Sequence, residues 1–274
     1  MKILHVWDQA STASVIAKWQ RKLGHSTVVI TNKKHDKIHT TSYYGGFIIK
    51  NKYYFILKAL QLAKKFDIIH LHDAWFLVHA LRVLYPRKKI VMHYHGSLVR
   101  ANIKPKWFRL DWEKLTNAII LATPDLIEYE YSKQPYYIPN PIDTELFKPI
   151  QIVENSKTLI ALKHSQSKSR TLCDLIKNGF NVTLDCIDRD ERIYFEDFVE
   201  KLKQYEYYAD LPVINGKMIH ANSVSGLQAM AMGIKTISWD YSVSDTLPEY
   251  HKPERVVKEI QKIYQSLYKN NKNE

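Results

Sequence analysis

Residues 66–96 read FDIIHLHDAWFLVHALRVLYPRKKIVMHYHG, and this stretch decides the fold class. The short apolar runs at 66–71 and 89–94 are typical of buried strands, and the amphipathic stretch 74–85, ended by Pro86, predicts a helix between them. Strand, helix and strand in this order form a βαβ unit, whose strands pair in parallel and are covered on both faces. We therefore predict an α/β protein built on parallel sheets.

The same alternation continues outward on both sides of this unit. In the first half, the pattern predicts strands at 2–6, 27–30, 118–122 and 136–138, and helices at 11–23, 53–65 and 107–115, the first of them capped by Ser11 or Thr12. In the second half, it predicts strands at 158–162, 182–187, 211–214 and 235–238, and helices at 171–178, 193–205, 223–232 and 253–268.

A proline-rich stretch, PNPIDTELFKP at 139–149, separates the two halves. Two βαβ-rich halves predict two Rossmann-like domains whose parallel sheets face a cleft, with ligands bound beyond the carboxyl ends of the strands. We place the domains at 1–148 and 149–274, with the option that the last helix, 253–268, packs back on the N-terminal domain.

Length, composition and missing motifs exclude several classes of protein. A chain of 274 residues without a run of about 18 apolar residues predicts no membrane-spanning helix. Cys173 and Cys186 are too few for a disulfide framework and indicate thiols in a reducing cytoplasm. The first strand is followed by WDQAST instead of a glycine-rich turn, which disfavours NAD or FAD, and the chain has neither a P-loop nor a G-x-S-x-G elbow. No nucleic-acid-binding motif is present, so we expect no nucleic-acid partner.

The net charge of +12 lies entirely in the first half, which has 23 Lys and Arg against 11 Asp and Glu, whereas residues 149–274 have 17 of each. An excess of this kind predicts a surface for an anionic partner, such as an acidic membrane or a phosphate-linked acceptor. The alternative is a lysine-rich surface that only keeps the protein in solution.

Five histidines cluster near predicted strand ends: His5, His70, His72, His93 and His95. One interpretation is a metal site of the kind that activates water in hydrolases. The other is a set of structural histidines, most of them satisfied by nearby backbone groups. For His95 we favour a functional role, because it ends a strand and Gly96 after it lets the backbone approach a ligand closely.

Two features of the second half suit an anion. Lys163 and Lys168 flank a polar loop after a predicted strand, with Arg170 as a third cation, and such a loop suits a diphosphate. In HANSVSGLQAMAMGIKTI, residues 220–237, Ser223 is predicted to cap a helix whose first amides favour a second phosphate contact. The alternatives are ordinary surface lysines and a well-capped core helix.

Three segments together resemble the retaining GT-B glycosyltransferases of family 4, which transfer a sugar from a nucleotide donor. YYIPNPIDTELFKP at 136–149 is similar to the interdomain phrase of that family. FDIIHLHDAW followed by KIVMHYHG is similar to its H-x-H-D motif and the strand that ends in His-Gly. LQAMAMGIKTI at 227–237 is similar to its E-A-M-A-x-G-x-P-V-I helix, and the three segments occur in the family's order.

The resemblance implies a role for individual residues. His95 matches the histidine that contacts the transferred sugar, and Lys163 and Lys168 match the pair that grips the donor diphosphate. It also implies a donor-binding set that consists of Gly96, Arg170, His220, Asn222, Ser223 and Gln228, and an acceptor side that consists of Asp8, Gln9, His72 and Asp73. His220 and Gln228 stand where the family has two glutamates, and WDQAST stands where it has a Gly-Gly turn.

The predicted function is therefore transfer of a sugar, with retention and without a metal, from a nucleotide-diphosphate sugar to a hydroxyl of a glycan, lipid-linked or protein acceptor. The nucleotide sugar is a co-substrate, and we expect no cofactor. We expect a cytoplasmic protein, with a peripheral position on the inner face of the membrane as an option. The alternatives are a catalytically silent module that binds sugar nucleotides or glycans on the same fold, and a metal-dependent hydrolase.

Overall fold

The computed structural model describes residues 1–100, 106–152, 154, 157–162, 179, 183–188, 193–214 and 217–269. The chain divides into two units. The first unit is Met1–Pro141 together with Pro253–Glu274, and the second unit is Ile142–Lys252. Both are built on mainly parallel sheets, so the predicted α/β class is confirmed.

The sheet of the first unit has seven strands, all of them parallel. They are β1 (Lys2–Val6), β2 (Ser26–Asn32), β3 (Phe47–Ile49), β4 (Ile68–His72), β5 (Lys89–Tyr94), β6 (Ala118–Leu121) and β7 (Tyr136–Tyr137). Their order is β3-β2-β1-β4-β5-β6-β7, so the strand order reverses between β1 and β4. In open α/β sheets, ligands bind in the crevice beyond the carboxyl ends of the strands at such a reversal.

Helices connect these strands. They are α1 (Thr12–Lys22), α2 (Thr40–Tyr43), α3 (Lys52–Ala63), α4 (Val78–Leu84), α5 (Ser97–Arg100) and α6 (Lys106–Lys114), with 3-10 turns at Lys33–His35, Trp75–Leu77 and Pro124–Glu128. Sequence analysis missed α2 and β3, because they are only four and three residues long and show no periodicity.

The second unit has a five-stranded sheet in the order β14-β13-β10-β8-β9 and a separate β11–β12 hairpin. Its elements are β8 (Lys157–Leu162), β9 (Thr183–Asp188), α7 (Phe195–Leu202), β10 (Tyr207–Ala209), β11 (Val213–Ile214), β12 (Lys217–Met218), α8 (Val224–Ala231), β13 (Lys235–Ile237) and β14 (Val243–Ser244). The strand predicted at 211–214 is present in part as β11, but β11 belongs to the hairpin, and the strand of the sheet lies earlier, in β10. The helix predicted at 171–178 lies outside the described residues.

The last helix, α9 (Pro253–Lys269), belongs to the first unit. Its apolar residues recur at helical spacing, so Val256, Ile260 and Ile263 share one face, and they pack in one cluster with Ile3 of β1 and Ile68 of β4. The chain thus leaves the first unit at Pro141 and returns to it at Pro253, so this unit is not one continuous segment.

The two faces of the first sheet differ in character. One face is apolar throughout, and its cluster holds Leu4, Ile69 and Met92. The other face begins as apolar near the start of the strands, with Ile3 and Ile68, and becomes a run of histidines toward their carboxyl ends. Because side chains alternate along a strand, the five histidines all fall on this second face.

Candidate active site

The histidines of β1, β4 and β5 form one buried cluster. Residue pairing sets His5 beside His70 and His72 beside His93 on neighbouring strands. These four side chains are fully buried, whereas His95, one residue beyond β5, is half-buried. The cluster therefore reaches the surface at His95, next to the reversal of strand order.

Three of the rings lie end to end in a first row. His5 Nε2 is 2.9 Å from Oε1 of Gln20 on α1, and His5 Nδ1 is 3.0 Å from His72 Nε2. His72 Nδ1 is in turn 2.9 Å from His95 Nε2. The ring centroids are 5.3 and 5.2 Å apart, as expected for imidazoles joined nitrogen to nitrogen.

The other two rings form a second row stacked on the first. The hydroxyl of Tyr264, on α9, is 2.5 Å from His70 Nδ1, and His70 Nε2 is 3.2 Å from His93 Nδ1. His70 stacks on His72 with centroids 4.4 Å apart and planes 16° apart, and His93 lies 4.4 Å from His95. Among the described residues, His93 Nε2 is buried without a hydrogen-bond partner.

Burial keeps the five histidine rings uncharged at neutral pH. Burial lowers the pKa of His5 and of His95 to about 4. It lowers the pKa values of His70, His72 and His93 well below the usual value of 6.5. The histidines are thus satisfied mainly by each other, by Gln20 and by Tyr264. The expectation that nearby backbone groups satisfy most of them was wrong, because their ring nitrogens pair with other side chains.

Two groups of three histidines bring ring nitrogens within 4.8 Å of one another: His5, His70 and His72, and His72, His93 and His95. A metal ion needs three lone pairs aimed at one point. In each group two rings already face each other across a hydrogen bond, and the third is stacked on them in the other row. The lone pair of the third ring lies in a plane stacked on the planes of the other two, so the three lone pairs do not meet at one point. The two rows therefore suit hydrogen bonding better than metal coordination.

Asp8, predicted on the acceptor side, is buried, and its carboxylate caps the N-terminus of α1. Its carboxylate accepts hydrogen bonds from the Ala13 amide (2.9 Å), the Ser14 hydroxyl (2.5 Å) and the Thr41 hydroxyl (3.0 Å). Burial raises the pKa of Asp8 to about 6. Ser11 occupies the N-cap position but makes no side-chain cap, because Asp8 takes that role.

The loop that follows β1 has an unusual backbone. Trp7, Ala10 and Ser11 adopt positive φ angles of 76°, 49° and 65°, although none is glycine. Such conformations cost of order 1 kcal/mol or more each and tend to cluster at functional sites. Gln9, also predicted on the acceptor side, lies half-buried in this loop, and its carbonyl accepts a hydrogen bond from the Thr12 amide at 2.9 Å.

Asp73 follows β4 and lies next to His95. Its carboxylate accepts from the His95 amide at 3.3 Å, and its own amide donates to the His93 carbonyl at 3.0 Å. Burial raises the pKa of Asp73 to about 7, and its Oδ2 has no hydrogen-bond partner among the described residues. Asp73 and His95 are therefore held together at the carboxyl edge of the sheet, whereas His72, predicted on the acceptor side, is enclosed behind them.

Gly96 has a φ of +99°, a conformation that favours glycine. The position that a side chain of this residue would occupy is filled by Arg100. An added Cβ would overlap the guanidinium of Arg100. Arg100 binds Asp125 through two hydrogen bonds of 2.6 and 2.8 Å. This half-buried ion pair was not predicted, because its two residues are 25 positions apart and match no motif.

In the second unit, the predicted helix cap is present. The Ser223 hydroxyl accepts from the Gly226 amide at 3.1 Å at the start of α8. The Ser223 amide donates to Oδ2 of Asp210 at 2.7 Å, and Asp210 is a buried residue that sequence analysis missed. The three cations predicted to hold a diphosphate, Lys163, Lys168 and Arg170, lie outside the described residues.

The remaining donor-side residues flank this cap. His220 is exposed and stacks on Trp239, with centroids 4.4 Å apart and planes 17° apart. Asn222 has a buried Oδ1 without a hydrogen-bond partner among the described residues. Gln228 is buried on α8. The described site residues thus form two sets, one at the carboxyl edge of the first sheet and one around the N-terminal half of α8.

An open cavity of about 390 Å³ lies elsewhere in the described part of the first unit. It is lined by Asp67, Tyr85, Lys89 and Tyr268 and lies where β4 and β5 begin. Ligands of parallel α/β sheets bind at the opposite, carboxyl edge, so we do not assign the site to this cavity.

Residues 9–146 match the model of Glycosyltransferase Family 4. The chain belongs to this family. The matched segment covers half of the chain and contains the first-unit site residues from Gln9 to Gly96, with Asp8 just before it. The match confirms the family that the sequence motifs predicted and, with it, the predicted GT-B-like fold class. The chain is a glycosyltransferase, and its activity is transfer of a sugar from a donor to an acceptor.

Among curated proteins, nothing matches. Solved structures resemble this family 4 member only distantly. The catalytic domain of starch synthase IV from Arabidopsis thaliana is 11% identical, covers 98% of each chain and gives a TM-score of 0.49. The forosaminyltransferase SpnP is 13% identical over 97% of this chain and 90% of its own, at 0.47. MurG of Acinetobacter baumannii is 10% identical over 95% and 83%, at 0.43. Similarities of this size identify neither a substrate nor a mechanism.

Proposed function

We propose that this glycosyltransferase moves a sugar from a nucleotide-diphosphate donor to a hydroxyl acceptor with retention of anomeric configuration, without a metal ion and without a further cofactor. The observation that carries the proposal is His95, a neutral ring held half-buried at the carboxyl edge of the first sheet, within the segment that matches the family. Asp73, fixed beside it, completes a polar edge suited to sugar hydroxyls.

The reaction breaks the bond between the anomeric carbon and the diphosphate, and negative charge grows on the departing oxygen. Lys163, Lys168 and the first amides of α8 would stabilise this charge. Removing one such preorganised donor typically costs about 3 kcal/mol of barrier. The acceptor hydroxyl would enter on the side from which the diphosphate leaves, which accounts for retention. His95 would orient the sugar without adding a charge.

The proposal is tested first with nucleotides and nucleotide sugars. A donor present at 100 times its Kd should stabilise the protein by about 2.7 kcal/mol, which a thermal-shift panel detects. Transfer is then measured with the donor that binds, with and without a chelator, and NMR of the product gives the anomeric configuration. Lys163→Ala and Lys168→Ala should weaken donor binding. Binding without transfer to any acceptor would support the silent module, and activity lost to the chelator would support a metal-dependent enzyme.

We also propose that the protein acts in the cytoplasm on an anionic membrane surface through one edge of its first unit. Among the described residues, no helix has the length and apolar character needed to cross a bilayer. Around the edge strand β3, however, Phe47, Tyr53 and Leu57 expose 62%, 75% and 64% of their surface. Exposed aromatic residues suit the interface between lipid and water.

Charge on the same edge complements acidic lipid. Residues 33–65 contain eight lysines and a single acid, Asp36, which is buried. We call this segment, with its exposed aromatic side chains, the basic edge. Each lysine near an anionic surface contributes about 1 kcal/mol, so several of them anchor a protein without a membrane span. The basic edge also accounts for much of the charge excess of the first half.

Vesicle flotation tests the basic edge. At low salt, the protein should float with vesicles that contain anionic phospholipid and stay behind with neutral ones. Lys50→Glu with Lys52→Glu should weaken binding at least about tenfold, because two favourable contacts become repulsive. Val83→Ser, which removes another exposed apolar side chain far along the sequence, should bind like wild type. Equal recovery with both kinds of vesicle would contradict membrane docking.

A further inference from the structure

The first row of histidines is a directional set of hydrogen bonds. A neutral imidazole has one N–H donor and one lone-pair acceptor, so a ring that donates to one neighbour must accept from the other. His5, His72 and His95 are joined Nδ1 to Nε2 throughout. The row therefore has only two consistent states, in which all three rings carry the proton on Nε2 or all three carry it on Nδ1.

One amide selects between the two states. Oε1 of Gln20 lies 2.9 Å from His5 Nε2, and a carbonyl oxygen only accepts, so His5 must carry its proton on Nε2. His72 Nε2–H then donates to His5 Nδ1, and His95 Nε2–H donates to His72 Nδ1. Burial raises the pKa of the Tyr264 hydroxyl, and a hydrogen bond with Gln20 acts against that rise, as expected when the amide N–H donates to the hydroxyl. The contact with Tyr264 keeps the carbonyl oxygen of Gln20 directed at His5.

The opposite end of the row has a competing amide. Burial lowers the pKa of His95, a hydrogen bond with Asn140 acts against that fall, and a proton on His95 Nδ1 could donate to Asn140. The carbonyl oxygen of Asn140 already accepts from the Thr12 hydroxyl at 3.1 Å. Gln20 is fully enclosed and within normal hydrogen-bond distance of its ring, so it is the stronger determinant.

We propose that Gln20 is a positioning residue that fixes His95 as the Nε2–H tautomer through His5 and His72. His95 Nδ1 then carries a lone pair and no proton. In this state His95 accepts a hydrogen bond from a ligand hydroxyl and cannot donate one. The identity of that ligand, a sugar, rests on the proposed function, whereas the tautomer does not.

The experiment uses the full chain labelled with 15N at histidine. Two-bond proton–nitrogen correlation spectra at neutral pH distinguish protonated from unprotonated ring nitrogens, and His95→Gln identifies the His95 signals by their loss. We expect His95 to be protonated on Nε2. In Gln20→Leu it should shift toward Nδ1–H, and kcat should fall about tenfold, equivalent to about 1.4 kcal/mol, with donor KM changed less than about twofold. Asn140→Leu is the matched control and should keep the wild-type tautomer.

Two results would overturn the inference. One is His95 protonated on Nδ1 in the wild-type protein. The other is a folded Gln20→Leu protein whose His95 signals match wild type. If Gln20→Leu does not fold, the wild-type spectrum still decides between the two states. If no donor or acceptor supports transfer, the proposed function fails while the ring signals stand, so the two failures are distinguishable.

Discussion

The first unit is expected to lose its stability in mildly acidic solution, beginning near pH 6.5, because acid must charge the histidine cluster. The unfolded chain binds a proton on each histidine near pH 6.5, whereas the folded chain holds His5 and His95 neutral down to about pH 4. Between these values the unfolded state binds more protons. The stabilising contribution is therefore complete above pH 6.5 and is lost as the pH falls.

Two buried carboxyl groups act in the opposite direction. Burial raises the pKa of Asp8 to about 6 and of Asp73 to about 7, so the folded state binds their protons more readily than the unfolded state does. Their contribution is lost as the pH rises and grows on acidification, and it offsets about two of the five histidines. An excess of up to about three protons corresponds to roughly 4 kcal/mol per pH unit, so a fall of two pH units removes up to about 8 kcal/mol, as much as the lower part of the typical stability range of 5–15 kcal/mol.

Denaturant unfolding measured from about pH 7.5 to 4.5 checks this prediction. His93→Leu removes one titrating ring and none of the hydrogen bonds of the first row. The slope of the unfolding free energy against pH should therefore fall by up to about 1.4 kcal/mol per pH unit. His39→Gln, which removes an exposed histidine outside the cluster, is the matched control. A free energy of unfolding that stays level or rises as the pH falls from 6.5 to 4.5 would contradict a neutral buried cluster.

The strands could be predicted from the sequence because both faces of a parallel sheet are covered. Continuous apolar runs identified β1 and β5 with their observed bounds, and the apolar spacing of 253–268 identified α9. Short edge elements such as β3 carry no such signal, since half of their surface faces solvent. The cap of α1 was misassigned because Asp8, four residues before the helix, reaches its amides only through the left-handed turn at Ala10 and Ser11.

The candidate site was predictable only in part, for a similar reason. His95 could be identified because it ends a strand and lies in a motif. Gln20 and Tyr264 come from helices far away in sequence, and no local pattern links them to the strands. Each does leave a weak trace, a polar residue four positions after Ile16 or Ile260 on an otherwise apolar helix face. A polar side chain in that position implies a buried polar partner, and here the partners are His5 and His70.

His95→Ala is expected to cause the largest loss of activity among the described residues, about 100-fold to 1,000-fold in kcat, the range seen when one preorganised polar contact near a reacting centre is removed. Two effects combine in this variant. Under the proposed function the sugar loses its contact with the ring, and His72 Nδ1 loses its hydrogen-bond partner in the first row. Donor KM should change little, because the proposed contacts to the diphosphate do not involve His95.

A structural defect and a catalytic one can be separated with a matched variant. His93→Leu disturbs the same buried cluster from the second row but leaves His95 and its hydrogen bond to His72 in place. If His95 acts on the sugar, His93→Leu should lower thermal stability as much as His95→Ala does, or more, yet retain most of the transfer rate. If both variants lose activity in proportion to stability, His95 serves only the fold, and the reacting sugar must be held by other residues of the carboxyl edge, with Asp73 the first to examine.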